Sequence, residues 1–396
     1  MTIHELVASL EPEINAVRQQ IHENPELGLK EYNTSALIEK ELREKTHVDR
    51  IEHIGETGLL VEIKGTKPGA AHCIALRGDM DALPIKEDEN HELRSRTDGI
   101  MHACGHDVHT SILLGAVRVL EHYRNQIAGS ILFFFQPSEE TLQGGKLFAE
   151  SPKIDFHTID GVAALHVTPD LCAGKIGVRY GAILGSSDEL TITVKGKGGH
   201  GAHPDTVIDP ILLAAQIVQA LQMLVSRELA ADESGVVSLC SIQGGNAFNI
   251  IPDTVVLKGT IRALDPKVRE HILKRIPEIC KGIAAAGRGD AEVNIKLGPP
   301  PLVSDSQWVD RVKRCGSKLL GHENVIELAH PSMGAEDFAF VMEKAPGVFV
   351  RFGSRSEGGP YGGLHSPHFY CDRKALTTGI LTLAGIALDF FDVDFE

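Results

Sequence analysis

The sequence predicts an α/β domain interrupted by a smaller inserted domain of ferredoxin-like (βαββαβ) order. Three observations lead there. Strands alternate with helices through the first part of the chain, the pattern of a layered α/β sheet. From about Gly185 the strands become half-exposed and follow the order β-α-β-β-α-β. After the stiff stretch Gly298-Pro-Pro-Pro301, helices and a buried strand like those of the first part return. The expected division is 1–184, 185–297 and 298–396. At 396 residues the chain exceeds the roughly 250–300 that one core supports, so two domains are the default.

The elements follow in order. Leu10, Ile14, Val17 and Ile21 give helical periodicity from Leu6 to Glu23, which Asn24-Pro25-Glu26-Leu27-Gly28 ends. A second helix is predicted from Thr34 to Lys45. Gly58–Lys64 and His72–Arg77 read as strands, the second running into Gly78-Asp79-Met80-Asp81. An apolar helical run, Ser111 to Leu120, continues to about Arg124. Gly129–Gln136 and Gly161–Val167 are continuous apolar runs, the mark of strands buried on both faces. In the insert, strands are expected at Glu189–Lys195, Gly235–Gln243, Thr254–Ala263 and Ala291–Leu297, with helices at Pro210–Arg227 and Pro266–Ala286. Helices at Ser306–Leu320, Glu336–Lys344 and Arg373–Phe390 and a strand at Gly347–Phe352 complete the chain.

Composition limits the function. Apolar content of 42% and charged content of 23% are ordinary for a soluble globular protein. A net charge of −15 argues against nucleic acid as a partner. The first residues lack the basic and apolar regions of a signal peptide, and no apolar run approaches a membrane span. Seven cysteines without framework spacing favour reduced thiols and a cytoplasmic location.

The chemistry concentrates in Met101–Thr110, where three histidines, one cysteine and one aspartate stand at the mouth of a helix. Such side chains suit zinc and its neighbours. Glu139-Glu140, His166 and His365 lie at other predicted strand ends or loops, where distant segments of a sheet converge. Each has a bland reading: a Glu-Glu pair is usually a solvated loop, and a lone buried histidine is usually a satisfied core group. Five potential ligands in ten residues favour a site over the bland reading. A metal pair needs several ligands and a bridge, and adjacent glutamates could divide ligation from proton transfer. Asp79 and Asp81 are candidates for orienting ligands or for holding a turn. Gly196-Lys-Gly198-Gly-His-Gly201 fits G-x-G-x-x-G but opens no helix and lacks the downstream acid, so a dinucleotide site is rejected. The zinc deaminase pattern is absent.

At these residues the chain resembles the metal-dependent amidohydrolases that include aminoacylase, hippurate hydrolase, the plant auxin-conjugate hydrolases and, more distantly, carboxypeptidase G. The likeness rests on His102–Thr110 as H-x-C-G-H-D-x-H-T and on Asn24–Gly28, Arg77–Ile85, Phe135–Glu140, Leu165–Val167, Gly198–Pro204, Asn249–Pro252, Gly334–Phe338 and Leu364–Phe369. It implies a di-metal catalytic domain with an inserted lid that also dimerises, as a homodimer or homotetramer. It implies Cys104, His106, Glu140, His166 and His365 as metal ligands and Glu139 as general base. His102, Asp79, Asp81, Asp107 and His109 would orient the ligands. His200 would hold the substrate carboxylate or the oxyanion, with Asn249 and Arg262 on the carboxylate side. Distant relatives place a His-x-Asp motif where this chain has Asp79-Met80-Asp81, so Cys104 enters the ligand set. Two divalent ions are expected. Zinc suits the thiolate, with manganese, cobalt or nickel as alternatives. The implied reaction is hydrolysis of an N-acyl amino acid. The rivals are dipeptidase or carboxypeptidase action by the same site, or a binding homologue that has lost catalysis.

Overall fold

The computed structural model describes residues 1–91 and 93–395. The chain divides into two compact units. One holds Met1–Gly181, Val303–His330 and the segment from Asp337 onward; the other holds Ala182–Leu302 and Pro331–Glu336.

In the first unit, α1 (Ile3–Glu23) starts at a capping box: Thr2 Oγ1 accepts from the Glu5 amide, and Glu5 Oε2 accepts from the Thr2 amide. Its Ile3, Leu6, Ile14, Val17 and Ile21 are buried on one face. Then come α2 (Tyr32–Lys45), β1 (Arg50–Ile54), β2 (Gly58–Lys64), β3 (His72–Asp79), α3 (His106–His122), β4 (Gly129–Gln136), α4 (Gly144–Ala149), β5 (Gly161–Cys172) and β6 (Ile176–Val178). The helix after the Cys/His stretch therefore begins at His106, five residues earlier than its apolar run, so that His106 and His109 stand on its first turn.

The second unit opens with β7 (Gly181–Leu184), a strand at the junction, and continues with β8 (Asp188–Lys195), β9 (Gly199–His200), α5 (Pro210–Met223), β10 (Gly235–Gln243), β11 (Ile250–Ile251), β12 (Thr254–Ala263), α6 (Pro266–Ala286) and β13 (Asp290–Lys296). The chain then returns through β14 (Leu302–Ser304), α7 (Ser306–Leu320), β15 (Val325–Glu327), α8 (Ala339–Met342), β16 (Gly347–Arg355) and α9 (Arg373–Phe390). The helix expected over Glu336–Lys344 shrinks to α8, and the Asp337 carboxylate just before it accepts from the Gly145 amide and the Gln136 side chain.

The large sheet of the first unit is mixed, in the order β1-β2-β4-β3-β5-β16-β6-β15. Its centre is parallel: β4 with β3, β3 with β5, and β5 with β16. These are the apolar runs, with Phe133, Phe135, Leu76, Ala163, Leu165 and Val350 fully buried. The marginal strands β1 (antiparallel to β2), β6 (antiparallel to β16) and β15 (parallel to β6) are short and give weak sequence signals. The second unit is a four-stranded antiparallel sheet ordered β10-β12-β8-β13, whose alternating residues Leu190, Ile192 and Val194 join α5 and α6 in a separate core.

One expectation is corrected. By length and composition alone, Pro210–Glu228 is long and apolar enough to cross a membrane. Its Leu213, Ala214, Ile217, Leu221 and Leu224 line the core of the second unit, while Ile211, Leu212 and Met223 are exposed.

Candidate metal centre

The parallel strands β3 and β4 end in Asp79 and Gln136, while His166 lies within β5, which runs on to Cys172 rather than ending at the histidine; the other candidate ligands stand on loops and at the start of α3. The turn into α3 requires Gly105. Its φ is +77°, and a Cβ there would lie 2.7 Å from Val167 Cγ2. This close approach sets Cys104 against β5, with Cys104 Sγ 3.3 Å from His166 Nε2. His365 takes a left-handed φ of 57° without being glycine, and its amide donates to the Ala103 carbonyl at 2.9 Å. A strained backbone of this kind persists where its surroundings hold it. It brings His365 Nε2 to 3.2 Å from Glu140 Oε1. Ser138, with φ 59°, makes the bend that leads into Glu139 and Glu140, and its amide donates to the buried Glu31 carboxylate.

Two groups of potential ligand atoms result, Cys104 with His106 and His166, and Cys104 with Glu140 and His365. They share Cys104. A third group joins His106, Glu139 and Glu140. The donor set fits divalent metal on three counts. First, among the described residues His106 Nε2 is buried without a hydrogen-bond partner, 3.9 Å from the Glu140 Oε1 that His365 also approaches. Such groups are costly unless something binds them. Second, the histidines offer the right nitrogens. His106 Nδ1 donates to Asp81 Oδ1 at 3.1 Å and His166 Nδ1 to its neighbour's carbonyl at 2.7 Å, which leaves Nε2 of each ring as the ligand atom; burial opposes a charged His106, but Asp79 and Asp81 raise its pKa, so a metal would displace the Nε2 proton there. Third, burial pushes the Cys104 thiol up and holds His166 well below the ordinary histidine range, with Arg351 adding to the second effect. A neutral imidazole is a ready ligand, and a cation is what would hold the buried thiol as thiolate.

Asp81 is the hub of the supporting shell. Besides His106 it accepts from the Glu139 amide (3.0 Å to Oδ1) and the Glu140 amide (3.0 Å to Oδ2). Asp79 receives His109 Nδ1 at 2.6 Å and Arg77 Nη1 at 2.6 Å. Burial opposes its charge, but Arg77, His106 and His109 hold its carboxyl well below the usual range. His109 Nε2 accepts the Val167 amide at 2.9 Å, so its lone pair is used and it positions β5 rather than offering a ligand atom. Asp107 is committed elsewhere, to Arg18 Nε (3.0 Å) and His22 Nδ1 (2.9 Å) of α1. His102 is fully buried, and neither ring nitrogen has a hydrogen-bond partner.

His200, Asn249 and Arg262 belong to the second unit. His200 is exposed on β9, which pairs with β11, and the Gly201 amide donates to the Asn249 carbonyl, so this ribbon brings His200 and Asn249 together. Arg262 lies on β12 of the four-stranded sheet. Sequence reasoning missed Arg77, Gln136 and Asp337. Arg77 is wholly buried and donates to Asp79, Gln136 and Asp337. The signal was a charged residue directly after the apolar run Cys73–Leu76 and within the same strand, where a buried partner is needed.

A thiol, imidazoles and carboxylates converging with two adjacent glutamates at strand ends define a metal-dependent hydrolase. Residues 75–389 match peptidase family M20/M25/M40, and the chain belongs to that family. It is 38% identical over 370 residues to the N-acetyl-L-cysteine deacetylase of Bacillus subtilis, covering 93% of this chain and 86% of that one. It is 37% identical over 378 residues to IAA-amino acid hydrolase ILR1-like 2 of Arabidopsis thaliana, covering 94% and 84%. A solved dinuclear metal-binding peptidase of the M20 family from Bacillus subtilis superposes with a TM-score of 0.83 at 31% identity, covering 98% of this chain and all of that one. The protein is an amidohydrolase.

Proposed function

We propose that the protein hydrolyses the amide bond of N-acyl amino acids, releasing a carboxylic acid and a free amino acid. The observation that carries this is the pair of ligand groups sharing Cys104 with Glu139 beside them. We assign Cys104, His106, Glu140, His166 and His365 as ligands of two divalent ions, with zinc favoured by the thiolate and manganese, cobalt or nickel as alternatives. Bound there, such ions supply electrophilic activation of the amide carbonyl and acidify water. Glu139 takes the proton from the attacking water and returns it to the leaving amine. Asp81 keeps the Glu139 and Glu140 backbones and the His106 ring in register for this. In this reading the second unit is the lid. His200, Asn249 and Arg262 receive the substrate's carboxylate and, with His200, the developing oxyanion. The same unit carries the contact of a homodimer or homotetramer through edge strand β10. The deacetylase and IAA-amino acid hydrolase relatives support an acylated amino acid as substrate. The free state of all seven cysteines supports a cytoplasmic location.

The test is a turnover profile of N-acetyl, N-benzoyl and indole-acetyl amino acids after loading with zinc, manganese or cobalt, wild type against Glu139→Gln. The variant is expected to keep its metal and lose about 10²–10⁴-fold in kcat. Near-wild-type turnover would sink the base assignment. Turnover of dipeptides bearing a free α-amine, but not of acylated amino acids, would move the assignment to a dipeptidase. A protein that binds acylated amino acids and turns over none would be a binding homologue.

A further inference from the structure

Asp107 faces a cavity of about 390 Å³ within the first unit, walled by α1, by Glu87, His91 and Leu93, and by the segment Phe369–Arg373. None of the proposed metal ligands lines it. Its acceptors are well used. Asp107 Oδ2 takes Arg18 and His22. Glu87 takes His22 Nε2 at 3.0 Å, His91 Nδ1 at 3.0 Å and the Ser95 amide at 2.6 Å. Its donors are not. Arg18 gives only Nε to Asp107, and among the described residues its two terminal amino groups meet no acceptor. The side-chain amide of Asn15, a residue only 9% exposed, likewise makes no hydrogen bond among the described residues.

The charged groups of the wall are closely matched. Burial disfavours a charged His22, but the Asp107 charge and the bonds to Asp107 and Glu87 raise its pKa to about 9. The wall sets two cations, Arg18 and His22, against the carboxylates Asp107 and Glu87, and its third cation, Arg373, pairs with Glu11. Phe369, Leu93 and Tyr370 add an apolar side. The volume lies within the range of small-molecule sites, about 300–1,000 Å³.

We propose that this cavity binds a small organic carboxylate. The Arg18 terminal amino groups take its two oxygens side by side, the geometry that guanidinium groups favour for carboxylates. The Asn15 amide adds a further donor, and the apolar part of the ligand rests on Phe369, Leu93 and Tyr370. The site is separate from the metal centre and does not depend on the substrate proposed above.

The probe is 4-fluorobenzoate, titrated calorimetrically into metal-loaded protein. A metal centre also takes carboxylates, so the number of sites decides. The wild type is expected to show two saturable sites, the cavity site with Kd on the order of 1 mM, an ordinary affinity for so small a ligand. Asn15→Leu and Arg18→Met are expected to weaken one site at least tenfold while leaving the other site and the bound metal unchanged. Arg18→Met leaves the buried Asp107 short of a partner and endangers the fold. Asn15→Leu keeps nearly the same shape, so it decides alone if the other variant does not fold. The proposal is overturned by a wild-type isotherm with one site that disappears on chelation, or by an Asn15→Leu isotherm that superimposes on the wild type.

Discussion

Replacing Asp81 with Asn tests whether the metal centre is organised by its supporting shell. The carboxylate accepts three N–H groups, from the His106 ring, the Glu139 amide and the Glu140 amide. Asn has one oxygen and one NH₂ group in the same plane. If its oxygen faces His106 and Glu139, its NH₂ meets the Glu140 N–H, donor against donor; flipped, it opposes His106 and Glu139 instead. At least one buried donor is stranded in either orientation, at about 1–3 kcal/mol. If that cost falls only on the metal-ready arrangement, it corresponds to roughly 5–150-fold in metal affinity, in line with the 10–100-fold typical of lost outer-shell partners. The assay is competition against a chelator of known zinc affinity, alongside thermal unfolding of the metal-free protein. The expected result is a loss of affinity of that size. An Asp81→Asn protein that binds zinc as the wild type does, with unchanged metal-free stability, would refute the reasoning.

Three further outcomes follow from individual contacts. Gly105→Ala should cost about 1–3 kcal/mol in denaturant unfolding and weaken metal binding, because the new Cβ meets Val167 at 2.7 Å and φ is positive; unchanged unfolding and metal affinity would contradict the close approach. Ile242 is 58% exposed on β10, an edge strand of its sheet, so Ile242→Lys should shift the mass measured by light scattering toward the monomer if that edge carries the oligomer contact. His22 has a folded pKa raised from 6.5 to about 9, so its contribution is fully present below pH 6.5 and is lost as the pH rises through about 9. By linkage it reaches about 3 kcal/mol. His22→Gln should flatten the fall in stability between pH 6.5 and 9 seen by chemical denaturation, and an identical slope in both proteins would contradict the charged pair.

Much of the fold was legible because its central elements announce themselves. Gly58–Lys64, Gly129–Gln136, Thr254–Ala263, Pro266–Ala286, Ser306–Leu320 and Arg373–Phe390 appear with the bounds read from the sequence. Continuous apolar runs and capped periodic stretches are strong local signals. The margins were not legible. β1, β6 and β15 owe their conformation to a neighbour strand more than to their own residues. The candidate site divides in the same way. Its ligand types stand out as residues, but the contacts that aim them do not. Nothing local in Asp81 says that it will hold two backbone amides of a loop 58 positions on, and the positive φ of Ser138 and His365 is a tertiary demand on residues that do not prefer it.

The contacts that were hidden from the sequence share a feature that bears on how such a site is held. Each segment carrying a proposed ligand is tied to another through a backbone group: the His365 amide to Ala103, the Glu139 and Glu140 amides to Asp81, and the Val167 amide to His109. Backbone groups are less mobile than long side chains, so these ties fix where each loop stands before any ligand atom engages a metal. Asp79 extends the same logic inward. Its carboxylate holds His109, which holds β5, while Arg77 answers its charge from within the sheet. A charged arginine with no exposed surface is expensive to bury. Its placement makes sense when Asp79, Gln136 and Asp337 all accept from it, because the same guanidinium then locks the ends of β3 and β4 to the segment that leads into α8. The buried charge network beneath the proposed ligands is therefore better explained as positioning machinery than as a source of stability.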